Sequence, residues 1–165
     1  MSTTNYRFFP MDESTAREIL TWRYEPPYEM FNVDPANADY DVAVLMSARN
    51  PTFVVRDLDG NLIAYRCFGP EARVPGGDYS VDALDTGGGM RPDLTGQGRG
   101  LGLLLAGLEF GTSTFKLNAF RVTVAEFNMR AQKVCERAGF EIVSTFARPT
   151  DGMRFVIMTK AAPSM

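Results

Sequence analysis

The spacing of apolar positions changes several times along the chain, and each change marks an element. Ala16, Ile19, Leu20 and Trp22 recur at roughly helical spacing behind Asp12, so the pattern predicts a helix over 12–23 with Asp12 as its N-cap. The run RFFPM at 7–11 reads as a short strand before it. YEPPY at 24–28 ends the helix, because paired prolines offer no amide donors, and a shorter helical segment is expected over 40–48. TFVVR at 52–56 and LIAYRCF at 62–68 are β-rich runs on either side of Asp59-Gly60, a hairpin signal. A loop over 69–78 should lead into a strand over 79–90 that ends on three glycines at 87–89. Helices are then predicted over 98–112 and 128–138, the second closed by Gly139, with a strand at 120–125 between them. A terminal hairpin, 141–147 with 154–159, turns at Asp151-Gly152. A strand-rich first half followed by alternating strands and helices indicates an α/β or α+β fold in one domain.

Composition narrows the chemistry more than the fold. The 165 residues contain no histidine, which removes Ser-His-Asp and Cys-His nucleophilic sites, imidazole acid–base work and the common zinc arrangements. Proton transfer must use carboxylates, tyrosines, a thiol or water. A net charge of −3 argues against nucleic acid or an anionic membrane as partner. No apolar run reaches membrane-spanning length, and the N-terminus lacks the basic-then-apolar layout of a signal peptide. Cys67 and Cys135 form no metal spacing, so reduced thiols in a cytoplasm are expected, with no metal.

One stretch asks for a ligand. DLTGQGRGLG at 93–102 places glycines at 96, 98, 100 and 102 directly before the apolar helical run at 103–106. The dinucleotide fingerprint needs G-x-G-x-x-G and the Walker loop ends in Gly-Lys-Ser/Thr; neither register exists here. What remains is a glycine loop at a helix N-terminus, where unpaired amides and the helix dipole favour an anion. Arg99 adds positive charge. A plain flexible turn is the alternative, as is a nucleotide-binding protein that uses the loop for other phosphates.

The loop has spaced companions. MRPDLTGQGRG at 90–100, VAEFN at 124–128, then Ala131 and CERAGF at 135–140, together resemble the GNAT family of acyl-CoA-dependent N-acetyltransferases. The match covers about 84–140 in the family's order and spacing. Gln97-x-x-Gly100-x-Gly102 follows the family's Gln/Arg-x-x-Gly-x-Gly/Ala loop directly. Thr95-x-x-Gly98-x-Gly100 follows it with threonine in first place, and is preferred because it keeps Pro92 at the usual offset. The resemblance implies a GNAT-like mixed, mostly antiparallel central sheet of about six to seven strands, splayed at a central parallel pair and flanked by about four helices.

It also implies roles. Acetyl-CoA would lie between the strands near 84–91 and 120–125 as co-substrate, with Met90 and Arg91 pairing with its pantetheine arm. Thr95, Gly96, Gln97, Gly98, Arg99 and Gly100 would cradle its pyrophosphate, and Asn128 would bond pantetheine or a water while capping the next helix. An amine would attack the thioester directly. Asp85 is the first candidate base and Glu126 the second, with a water chain as a third route. The family often has a tyrosine seven residues after the asparagine, to protonate the leaving thiolate; here Cys135 stands there, a weak acid candidate, though a cysteine on a helix is more often a small buried hydrophobe. That departure leaves a non-catalytic acyl-CoA-binding module as the alternative to a transferase, and a longer acyl donor as an alternative within the enzyme class. The acceptor amine, small or peptidyl, would meet WRYEPPYEMF at 22–31, and in particular Trp22, Tyr24, Glu25, Tyr28 and Phe31. A monomer or homodimer is expected.

Overall fold

The structure is a computed structural model that describes residues 5–117 and 119–161. Seven strands form one sheet in the order β1-β2-β3-β4-β5-β7-β6. They are β1 (Tyr6–Pro10), β2 (Thr52–Asp57), β3 (Leu62–Phe68), β4 (Leu84–Met90), β5 (Ala119–Ala125), β6 (Glu141–Ala147) and β7 (Arg154–Ala161). Every neighbouring pair is antiparallel except β4 with β5. The helices are α1 (Glu13–Ile19), α2 (Ala38–Leu45), α3 (Gly100–Thr114) and α4 (Met129–Arg137). This is the mixed, mostly antiparallel sheet with four α-helices that the sequence led us to expect.

Alternation along the strands assigns the helices to two faces. Val54 and Leu62 pack with Ala16, Ile19 and Val42, which places α1 and α2 on one face. Phe68, Phe120, Val122 and Met158 pack with Leu104, Leu108 and Cys135, which places α3 and α4 on the other. Val55 and Ala64 extend this second layer to Leu103, and Phe8 stacks on Phe110 with ring centroids 4.6 Å apart. Both predicted hairpin turns form, with Gly60 and Gly152 at positive φ. Gly139 closes α4 at φ +102°.

Two boundaries differ most from the sequence pattern. Helix α1 stops at Ile19, four residues before the predicted end, because Thr21 and Trp22 turn their amides back onto the carbonyls of Glu18 and Ile19 in a tighter coil. Strand β4 begins at Leu84, because Tyr79 is held in the preceding loop. Its hydroxyl receives the Val74 amide and bonds Thr123 Oγ1 at 2.8 Å, and the guanidinium groups of Arg73 and Arg121 lie over its ring.

Helix α3 approaches the sheet closely at Gly111. A β-carbon there would stand 2.8 Å from the Phe68 ring and 3.1 Å from that of Phe120, both fully buried. Gly111→Val should therefore overpack this layer and lower the unfolding free energy by about 1–3 kcal/mol, read from urea denaturation. Unchanged stability would mean that α3 shifts freely on the sheet.

Candidate active site

The site begins where β4 and β5 separate. Only Leu84↔Phe120 and Asp85↔Arg121 are registered, although each strand has seven residues. Beyond them the strands diverge toward their C-terminal ends. On its other edge β4 stays paired with β3 as far as Met90, and the Arg91 amide donates to Ile63 O at 2.8 Å. Antiparallel pairing alternates hydrogen-bonded and non-bonded positions. The bonds Gly69 N–H to Asp85 O and Arg91 N–H to Ile63 O turn the odd-numbered residues of β4 toward β3. The backbone groups of Thr86, Gly88 and Met90 therefore face β5, and at Gly88 and Met90 they face the parting. Met90, expected from the sequence, lies on this edge. Arg91 does not, since its amide is engaged by β3; Gly88, which the sequence reading passed over, does. Gly88 has no room for a side chain, for a β-carbon there would stand 2.3 Å from Tyr65 O.

Above the parting lies the glycine loop. Gly96 and Gly98 hold φ of +73° and +78°, a region that glycine enters without strain. Thr95 Oγ1 donates to Pro92 O and Gln97 Nε2 to Asp93 O, which fold the loop onto the 3-10 turn before it. Asp12 and Asn128 cap α1 and α4 through side-chain bonds, whereas Arg99 gives α3 none. The first-turn amides of α3 are thus left for an anion. A β-carbon at Gly100 would stand 3.1 Å from Val134, while one at Gly102 would meet nothing within 4 Å. A side chain at 100 would crowd Val134 and one at 102 would not, which, with the positive φ of Gly98, favours the Thr95–Gly98–Gly100 register. Arg99 is exposed, and Arg130 of α4 adds a second cation that the sequence reading missed, its Nη1 3.7 Å from a β-carbon built at Gly96.

The segment 22–31 spans the mouth of the parting. Tyr24 Oη donates to Met90 O at 2.7 Å, and Trp22 packs against Tyr65, whose ring covers Gly89. Tyr28 and Phe31 pack on Phe127, next to Asn128, while Arg130 lies 4.3 Å from the centre of the Tyr28 ring. The loop therefore touches both lips of the opening. Glu25 is exposed at its edge. Burial raises the pKa of Tyr24 and pushes that of Tyr65 up to about 12, so both phenols are neutral near pH 7.

Asp85 is not placed to act as a base. Only 2% exposed, it receives Arg121 Nε at 2.7 Å and Nη2 at 2.9 Å, and Arg73 Nε at 2.7 Å. Arg121 also donates to Val81 O. The carboxylate neutralises a buried guanidinium, and neither oxygen is left to take a proton from a substrate. The sequence showed an acid in a strand; its partners come from β5 and from the loop at 73, far away along the chain. Glu126, the second candidate, is paired with Arg154 at 3.2 Å on the surface. Cys135 lies in the core against α3 and β5, and burial pushes its thiol up to about 11 despite the opposing field of Arg66. Among the described residues no group of three His, Cys, Asp or Glu side chains gathers as a metal site. No described helix is long and apolar enough to cross a membrane.

Solved structures share this architecture. A chimera of the Vibrio cholerae spermidine N-acetyltransferase SpeG with hSSAT superposes with a TM-score of 0.75 at 18% identity, covering 96% of each chain. Aminoglycoside acetyltransferase AAC(6')-Ib with coenzyme A gives 0.74 at 18%, covering 94% of each chain. The chain has the fold of these acetyltransferases. A second structure of AAC(6')-Ib, with paromomycin and acetyl-CoA, gives 0.74 at 18%, with 95% of this chain and 93% of that chain covered. No protein-family model matches the sequence, and no curated protein does.

Two outcomes test this geometry. Asp85→Ala should lower stability by roughly 3–5 kcal/mol in urea denaturation, because it leaves Arg121 buried without its counter-charge; lost activity at unchanged stability would restore Asp85 as a base. Cys135 has a folded pKa of about 11 against 9.0 in the free residue, so its contribution is complete below pH 9 and lost as pH rises toward 11. Cys135→Ala should shallow the fall in melting temperature between pH 8 and 10.5, roughly that window, and should keep activity within about tenfold, since a buried thiol of this kind is a packing residue.

Proposed function

We propose that the protein is an acetyl-CoA-dependent N-acetyltransferase that moves an acetyl group to a primary amine, small or peptidyl, by direct attack on the thioester. The observation that carries this reading is the parting of β4 and β5 beneath a glycine loop, with backbone groups of Gly88 and Met90 turned into the gap. Met90 would pair with the pantetheine arm. The Gly88 amide would polarise the thioester carbonyl, a preorganised donor of the kind that supplies much of the rate in acyl transfer. The amides at 96–100, with Arg99 and Arg130, would hold the pyrophosphate. Asn128 would order the pantetheine while capping α4. The neighbours named above for acetyl-CoA, spermidine and an aminoglycoside support this donor and a cationic amine as acceptor.

The acceptor would approach across the segment 22–31, where Trp22, Tyr24, Tyr28 and Phe31 present ring faces and Glu25 a carboxylate. With Asp85 committed to Arg121, the amine would lose its proton to water. Two free cysteines support a reducing cytoplasm as the compartment. We propose a monomer or homodimer, and the net charge of −3 supports partners other than nucleic acid or an anionic membrane.

Saturating acetyl-CoA, at about 100 times its dissociation constant, should stabilise the protein by roughly 2.7 kcal/mol, seen as a raised melting temperature that ATP and NAD do not reproduce. Gly98→Val should abolish that shift while leaving a folded protein, because valine resists the φ of +78° and fills the space before the amides. A shift that survives the substitution would remove the loop from the donor site. No shift in the unaltered protein would end the transferase reading.

A further inference from the structure

Two arginines sit in the middle of the sheet, and they are treated oppositely. Arg121 on β5 is matched by Asp85 and a carbonyl. Arg66 on β3 has no ion-pair partner among the described residues, and its one hydrogen bond is a long one, Nη1 to Thr86 Oγ1 at 3.5 Å. That hydroxyl is itself directed to Cys67 O at 2.9 Å. The residue lies on the α3 face, partly buried. A β-carbon at Gly88 would stand 3.2 Å from its Cζ, and one at Gly107 of α3 would stand 3.3 Å from its Nε. The guanidinium is thus laid across the β4 residue whose backbone faces the parting, between the sheet and α3. Glycine at both 88 and 107 is what makes room for it.

The guanidinium is only half-buried, and with one long hydrogen bond most of its five N–H donors are open to an anion that enters here. The titratable groups that bear on it are Tyr65 and Cys67 from β3 and Cys135 from α4. Burial raises the pKa of each, to about 12 for Tyr65 and about 11 for Cys135, so all three are neutral near pH 7 and none supplies the charge. The field of Arg66 already reaches one sulfur in this layer, since it draws the Cys135 thiol downward against burial.

We propose that the Arg66 guanidinium holds the departing sulfur of CoA as a thiolate, so that acyl transfer completes without a general acid. This rests on the transferase reading above. The amine nitrogen bonds to the acyl carbon while the carbon–sulfur bond breaks. The electron pair of that bond goes to sulfur, which leaves as thiolate against Arg66, and the proton of the new amide nitrogen goes to water. A thiol titrates within reach of neutrality, so a fixed positive charge beside it is enough to let it leave as an anion. The sequence carried a hint, a lone arginine inside the apolar run LIAYRCF.

The test is a pH titration of protein-bound CoA, read by the ultraviolet absorbance of the thiolate, with the desulfo-CoA complex subtracted to remove Cys67 and Cys135. In the unaltered protein the bound thiol should titrate below about 7.5, against ~8.5 for an ordinary thiol. In Arg66→Gln it should return to about 8.5, with acetyl-CoA still raising the melting temperature and kcat reduced roughly 100- to 1,000-fold at little change in KM for acetyl-CoA. Arg66→Lys, which keeps the charge, should retain part of the lowered titration and more activity than Arg66→Gln. A bound thiol that titrates at its ordinary value in the unaltered protein overturns the proposal, whether or not Arg66→Gln folds. Full turnover in Arg66→Gln overturns it as well. If CoA does not bind the unaltered protein at all, the transferase reading itself fails, which is a separate result.

Discussion

The pair Asp85–Arg121 is the hinge pin of this molecule. These two residues are the last registered partners of β4 and β5, and their side chains close the same cross-strand position with a bidentate ion pair. Beneath them the sheet is continuous; above them it divides. A parallel pair that loses register would normally leave backbone donors and acceptors exposed to no purpose. Here a strongly bonded buried pair fixes where the division starts, and β3 and β7 hold the outer edges of the two strands along their length. The opening is therefore an ordered part of the sheet, set by charge at its base and by antiparallel ladders at its sides.

Much of this was legible in the sequence. Period changes located all seven strands and all four α-helices, and the run of glycine, asparagine and CERAGF pointed to the resemblance that the fold supports. The errors have a common cause. Asp85 read as a free acid because its partners, Arg121 and Arg73, lie 36 and 12 residues away along the chain. The strand before the glycines read too long because Tyr79 alternates correctly but is drawn into the loop by Val74, Thr123 and two arginines. Gly88 and Arg66 escaped notice because their importance depends on which strand edge faces a gap, and that is fixed by pairing register, a long-range property.

The triple glycine at 87–89 shows how one short run serves both faces at once. On one side Tyr65 covers Gly89, and on the other Arg66 lies over Gly88. Consecutive residues of β3 thus reach to opposite sides of the same bare stretch of β4, as strand alternation requires. A phenol faces the α1 and α2 side, where the aromatic segment 22–31 gathers, and a cation faces the α3 side. The thin backbone of β4 lies between them.

Trp22 is the chain's single tryptophan. It stands two residues from Tyr24, whose hydroxyl holds the Met90 carbonyl, and its ring lies 6.2 Å from that of Tyr65, which covers Gly89. The indole emission of the whole protein therefore originates at the joint between the aromatic loop and the lip of the divided sheet. Any ligand that claims the Met90 carbonyl or moves that loop acts on this one fluorophore, so the molecule carries its own optical probe of the opening, with no label to attach.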